Sequence, residues 1–203
     1  MKALYVTDRG AIGEDAFWGL LDRLRSAPSL TVQLREKTIS DRDAIVTAAR
    51  ARKSLGDAVP LFVNRRWDIA LAAGADGVHL PAEGLPLRRV KASTPRGFRV
   101  GASTHSAVEA IAAIAEGADL VVIGPIFETP SKGALGSPLG TEELAKLPSA
   151  SEHGSEVYAI GGIDASLLER LAAYGDRIAG VAGIRLFQEA RDPRGIVARV
   201  AGL

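Results

Sequence analysis

The chain has 203 residues, 25 of them Lys or Arg against 24 Asp or Glu, and its formal net charge is +1 at pH 7. That balance leaves no electrostatic footprint for nucleic acid or an anionic membrane. Cysteine is absent, which excludes disulfides and thiolate chemistry, and three histidines argue against a histidine-rich zinc site.

Hydrophobic residues make up 47% and charged residues 24%, enough for one domain with a substantial core. No apolar stretch approaches the ~18 residues needed to span a bilayer. The N-terminus lacks the apolar region and cleavage pattern of a secretory signal, so a cytoplasmic location is expected.

Taken in chain order, apolar runs predict eight strands at 3–7, 31–35, 59–64, 77–80, 98–103, 120–124, 157–161 and 178–183. The runs are near-continuous, as parallel strands buried on both faces require. Helices are predicted at 14–26, 40–55, 66–73, 86–92, 106–116, 141–147, 165–174 and 185–190, with a last one at 193–200. Ser40, Thr141 and Asp164 sit where N-caps are needed, and Gly74, Gly117 and Gly175 where helices should stop. The basic run Arg50–Ala51–Arg52–Lys53 reads as a solvated helix face. A Gly-(Ala)-Asp turn recurs at 74–76, 117–119 and 175–176. No linker or low-complexity stretch divides the chain.

Eight βα units predict a single (β/α)8 TIM barrel over residues 1–203. A doubly wound nucleotide fold would need Gly-x-Gly-x-x-Gly after its first strand, and Thr7–Asp8–Arg9–Gly10 does not supply it. In the barrel the site is built from the loops that follow the strands. Ala159–Ile160–Gly161–Gly162–Ile163–Asp164 and Ala182–Gly183–Ile184–Arg185 each run from a strand into a helix start. Glycines let the backbone approach a ligand, and loops seven and eight are the usual phosphate cradle. Gly161, Gly162, Gly183, Ile184 and Arg185 are therefore expected to bind phosphate.

Gln33, Arg35 and Lys37 share one face of the second strand, because strand side chains alternate. Arg35 either pairs with an acid such as Glu36 or Asp8, or offers its planar fork to an anionic substrate group. His105 follows strand five beside Ser103 and Thr104, and imidazole is the side chain whose intrinsic chemistry best suits proton transfer near neutral pH. His79 lies inside strand four and reads as a satisfied barrel histidine.

With these residues in view, the sequence resembles the thiamine-phosphate synthase/TenI superfamily over nearly its whole length. The matching segments are VQLREK at 32–37, LFVN at 61–64, ADGVHL at 75–80, GASTHS at 101–106, GADLVVIGPIFETPSK at 117–132 and AIGGI at 159–163. The resemblance implies a small phosphorylated thiazole as substrate, no nucleic acid and no membrane. It leaves the oligomeric state open, a homodimer included.

Two activities divide the family. The synthase joins a pyrimidine diphosphate to a thiazole phosphate with Mg²⁺ held by two aspartates, and Arg65 and Gly84 stand at those positions here. Mg²⁺ wants carboxylate oxygens, and Glu83 beside Arg65 makes a poor site. The NRRWDIAL segment at 64–71, Leu80–Pro81 and Phe127–Glu128–Thr129 resemble the TenI branch instead.

The expected activity is therefore thiazole tautomerisation without a metal or other cofactor, Mg²⁺ being needed only if the synthase alternative holds. The resemblance makes His105 the acid–base catalyst. It places Gln33, Arg35, Lys37, Asn64, Ser103, Thr129 and Lys132 on the substrate, Arg35 and Lys132 on its carboxylate. A thiamine-phosphate synthase and a non-catalytic thiazole or thiamine phosphate-binding regulator are the alternatives. The glycine-bearing stretch at 133–140 is the expected flap.

Overall fold

A computed structural model describes residues 1–36, 38–129 and 137–203. Eight parallel strands close into a barrel in sequence order, β1 pairing back to β8. They are β1 (Lys2–Val6), β2 (Leu30–Leu34), β3 (Leu61–Asn64), β4 (Gly77–Leu80), β5 (Arg99–Thr104), β6 (Leu120–Ile123), β7 (Glu156–Ile160) and β8 (Gly180–Gly183). The predicted (β/α)8 barrel is the observed fold, and no strand position differs from expectation by more than the two residues by which ends routinely fray.

The helices are α1 (Arg9–Ile12), α2 (Glu14–Arg23), α3 (Asp41–Leu55), α4 (Trp67–Ala72), α5 (Leu87–Ser93), α6 (Ala107–Ala115), α7 (Glu142–Ala145), α8 (Leu168–Ala172), α9 (Arg185–Gln188) and α10 (Pro193–Ala201). Ser40 caps α3 by accepting from the Asp43 N–H at 3.1 Å, as its position predicts. Thr141 makes no such side-chain bond. The long helix expected at 165–174 instead begins as a 3-10 turn, Ala165–Leu167, whose Asp164 cap accepts from Ser166. α1 and a 3-10 turn at Ala150–Glu152 were not legible, since neither is long enough to show a period. No helix among the described residues is long and apolar enough to cross a membrane.

Two hydrophobic layers follow from strand alternation. One face of each strand packs under the helices in the larger cluster, with Ala3, Val32, Leu61, Val78, Val100, Val121, Val157 and Val181. The other face fills the barrel interior with Leu4, Val6, Phe62, Leu120, Val122, Tyr158 and Ala182. Glycines make the interior fit. A Cβ on Gly77 would lie 2.6 Å from the Phe62 ring, and one on Gly101 would lie 2.8 Å from His79 Nδ1. The large interior side chains thus occupy space that small neighbours vacate, and packing of this density leaves no slack for an extra methyl.

The floor of the barrel, at the N-terminal strand ends, is bound by paired charges. Glu156 takes Lys2 Nζ at 2.6 Å, Arg99 at 3.1 Å and the Tyr158 hydroxyl at 3.0 Å. Burial pushes its carboxyl up, but the Lys2 hydrogen bond and the Arg99 charge outweigh that and hold it below the usual range.

The Gly-Ala-Asp repeat has a mechanical meaning here. Asp76 accepts the Leu61 N–H at 2.7 Å and the Arg52 guanidinium at 2.6 Å. Asp119 accepts the Val100 N–H at 2.7 Å and Lys91 at 3.2 Å. Each aspartate satisfies a strand-start amide and recruits a cation from an outer helix. The third copy differs: Asp176 lies 3.7 Å from its neighbour Arg177 and caps no strand. Arg52 also corrects the reading of 50–53 as a solvated face, since the Asp76 carboxylate and the Val59 carbonyl draw its head inward.

Candidate active site

At the opposite end the strands open onto the loops that follow them. Alternation sets which residues reach the mouth. Gln33 pairs in register with Phe62, Asn64 with His79, His79 with Gly101, and Ser103 with Val122. Phe62 and Val122 are interior, so Gln33, Asn64, His79 and Ser103 project inward as well, most of them one step above the apolar layer. The side chains meet as this register demands. Gln33 Nε2 donates to Asn64 Oδ1 at 3.1 Å, and His79 Nε2 lies 2.8 Å from Ser103 Oγ.

His79 is buried, and its Nδ1 has no hydrogen-bond partner among the described residues. Burial pushes its pKa down to about 3, so the imidazole is neutral. The expectation of a satisfied barrel histidine therefore holds for one nitrogen only. The pairing with Ser103 was not legible, because it depends on the register between β4 and β5.

Arg35 follows Gln33 on the inward-facing side of the chain. Its backbone N–H donates to Thr7 Oγ1 at 2.9 Å, which ties loop two to loop one. Neither expected acid takes its guanidinium. Glu36 is held instead by Arg9, with Nε at 3.2 Å and Nη2 at 3.0 Å. Burial raises the Glu36 pKa, and the Arg9 charge pulls the other way. Among the described residues the Arg35 guanidinium has no hydrogen bond or ion pair.

Arg65 stands one residue beyond β3 with φ +68°, and its N–H donates to the His79 carbonyl at 2.9 Å. The described non-glycine residues with positive φ are Ser26, Ser29 and Arg65. Both serines are small and lie near the floor. A bulky side chain in this region costs about 1–2 kcal/mol. Its neighbour Arg66 is committed to Asp68 at 2.7 Å and to Asp41, whereas the exposed Arg65 guanidinium has no partner among the described residues.

His105 is exposed at the end of β5. Its Nδ1 lies 2.7 Å from the Gly124 carbonyl oxygen, which can only accept, so Nδ1 carries the proton. Its backbone N–H donates to Glu109 at 2.7 Å. Thr129 is described and has an interaction partner, while Lys37, Lys132 and the first half of the expected flap, 133–136, lie outside the described residues.

Gly161 and Gly162 have φ +100° and +67°, which favour glycine. A Cβ on either would strike loop six, at Pro125 and at the Glu128 carbonyl respectively. Their glycines thus serve loop packing as well as backbone access. Phe127 N–H donates to the Gly161 carbonyl at 3.0 Å, locking loops six and seven together. Gly183 ends β8, and Ile184 and Arg185 open α9 at the same rim.

The structure thus brings Gln33 with Asn64 and His79 with Ser103, and among the described residues leaves Arg35 and Arg65 uncommitted. Among the described residues, no group of three or more His, Asp or Glu side chains could hold a metal ion.

Residues 3–186 match a family model described as thiamine monophosphate synthase. The thiamine-phosphate synthase of Methanoculleus marisnigri is 40% identical over 184 residues, covering 89% of this chain and 86% of that protein. The thiamine-phosphate synthase of Gloeobacter violaceus is 43% identical over 164 residues, covering 80% of this chain and 46% of that longer protein. The thiamine phosphate pyrophosphorylase of Pyrococcus furiosus superposes with a TM-score of 0.81 at 27% identity, covering 99% of this chain and 94% of that one.

These relatives overturn the expected thiazole tautomerase and support the synthase alternative. The tautomerase reading rested on short loop segments, 64–71, 80–81 and 127–129. Resemblance across most of the chain outweighs them, and no relative named here carries an isomerase name. The chain belongs to the thiamine-phosphate synthase/TenI superfamily.

Proposed function

We propose that the chain is a transferase of the thiamine-phosphate synthase type. It joins hydroxymethylpyrimidine diphosphate to thiazole phosphate and releases pyrophosphate. The thiazole nitrogen lone pair forms a bond to the exocyclic methylene carbon. The bond from that carbon to the diphosphate oxygen breaks, and its electron pair leaves with pyrophosphate. No proton moves, so this reading gives His105 no acid–base role.

The observation that carries the proposal is the Arg35 guanidinium, without a partner among the described residues, just beyond the strand that carries Gln33, whose amide is fixed to Asn64. Negative charge builds on the leaving oxygen, and a cation beside it lowers the barrier. Gln33 and Asn64 present an ordered amide pair to the heteroaromatic edge. Ser103, oriented by His79, adds a hydroxyl. Gly161, Gly162, Gly183, Ile184 and Arg185 receive the thiazole phosphate, which places the two substrates at facing sides of one mouth.

A resident Mg²⁺ does not fit these residues. The synthase pattern needs two aspartates, and Arg65 and Gly84 stand in their places. Glu83 and Gly84 are exposed in the loop beyond β4. An arginine where a cation should sit repels it.

The test is direct. Purified protein is mixed with both substrates, and thiamine phosphate and pyrophosphate are quantified. Equimolar formation of the two products is expected. Tight binding of either substrate with no product would refute the transferase reading.

A further inference from the structure

We propose that Arg65 takes the place of a divalent cation in this chain: the mouth binds a diphosphate group through Arg65, and without a metal ion. The inference deepens the transferase reading, on which it rests for the identity of the anion.

Three observations carry it. First, among the described residues the Arg65 guanidinium is uncommitted, while the acids nearest it each hold a cation. Arg66 is bound by Asp41 and Asp68, and Glu36 by Arg9. An anion arriving at the cavity lined by Glu36, Asn64, Arg65 and Arg66 therefore meets a Glu36 carboxylate held through one oxygen by Arg9 and, among the described residues, an Arg65 guanidinium with no partner.

Second, Arg65 keeps a left-handed backbone, φ +68°, held by its N–H bond to the His79 carbonyl. Glycine or asparagine would suit that conformation better. A long cation retained against backbone preference, at the substrate end of the barrel, points to a ligand that needs its charge.

Third, the donor set for a metal is missing. Among the described residues no three His, Asp or Glu side chains converge. Arg65 and Gly84 leave the mouth with positive charge and no oxygen ligands where the family's metal aspartates stand. A guanidinium can bind two phosphate oxygens at once through its planar fork, which supplies both charge and orientation.

Calorimetric titration of inorganic pyrophosphate into the full chain, in EDTA and then in excess Mg²⁺, tests this without turnover. Binding in EDTA is expected, with Mg²⁺ leaving it unchanged or weakening it by competing for the anion. Arg65→Gln should weaken binding at least tenfold in both buffers, about 1.4 kcal/mol. Arg65→Gly relieves the backbone, so it should melt no lower than the parent while losing the same affinity. That split separates a ligand role from a structural one.

Arg65→Asp should bind pyrophosphate only with Mg²⁺. Parent binding that requires Mg²⁺, or Arg65→Gln binding as tightly as the parent, would overturn the proposal. The two readings fail separately. Metal-free pyrophosphate binding with no product sinks the transferase alone, whereas product formed only with Mg²⁺ sinks the role of Arg65 alone.

Discussion

The two ends of this barrel handle charge in opposite ways. At the floor, Lys2 and Arg99 converge on Glu156, Arg52 on Asp76 and Lys91 on Asp119, and the two aspartates also accept a strand N–H. At the mouth, Arg35 and Arg65 point at no carboxylate, His79 keeps an unpartnered buried nitrogen, and Arg65 holds an unfavourable backbone. Charge matching of the first kind closes strand ends and stabilises them. Charge left unmatched is free to meet an anion, the role proposed above for Arg35 and Arg65. The same strands therefore pair their charges at one end and leave charges open at the other.

Substitutions can break this contrast. The largest effect is expected at the floor. A Cβ on Gly180 would collide with the Lys2 backbone across the β8–β1 seam. Gly180→Ala should cost about 3 kcal/mol in denaturant unfolding, since backbone on both sides prevents relaxation.

At the mouth the loss should fall on activity instead. Arg35→Gln should lower kcat/KM about 100-fold, roughly 2.7 kcal/mol of transition-state stabilisation, with the unfolding free energy unchanged. An equal fall in stability would show that Arg35 is structural.

His79 gives a pH signature. Its folded pKa of about 3 lies below the unfolded value near 6.5, so the unfolded chain takes up a proton first as pH falls. The stability held by neutral His79 is complete above pH 6.5 and is lost toward pH 3. Between pH 7 and pH 5 it should fall by about 2 kcal/mol, and His79→Gln should flatten that slope.

The smallest effect is expected at Asp76→Asn. It keeps an acceptor for the Leu61 N–H but removes the ion pair with Arg52, and the half-exposed Asp76 is screened by solvent. About 1 kcal/mol is expected, weakening further with added salt. A loss well above that would mean the floor ion pairs act as a connected set.

Much of the fold was legible because its signals are local. Buried parallel strands need unbroken apolar runs, and 77–80 has the bounds that its run predicts. Ser40 caps α3 because a side-chain oxygen three residues from an orphan N–H is a short-range fact. The candidate site was less legible. Gln33, Arg35, Asn64, Ser103 and His105 were placed correctly at the strand ends, but their roles came from partners remote in sequence. The choice of activity went wrong for a related reason. Loop segments at 64–71 and 127–129 have few residues to argue from, whereas resemblance over 3–186 averages across the whole barrel.

By itself, the sequence determined that eight βα units would close a parallel barrel, that one end would be rich in glycine and polar residues, and that Arg65 and Gly84 stand where metal-binding aspartates would. Only the tertiary structure decided which charges are spent. Arg9 takes Glu36, Asp41 takes Arg66, and Asp76 takes Arg52, through pairings between elements up to 27 residues apart. Strand register and helix placement set those distances, and no local pattern encodes them. That Arg35 and Arg65 at the mouth have no partner among the described residues could be seen only once those pairings were known.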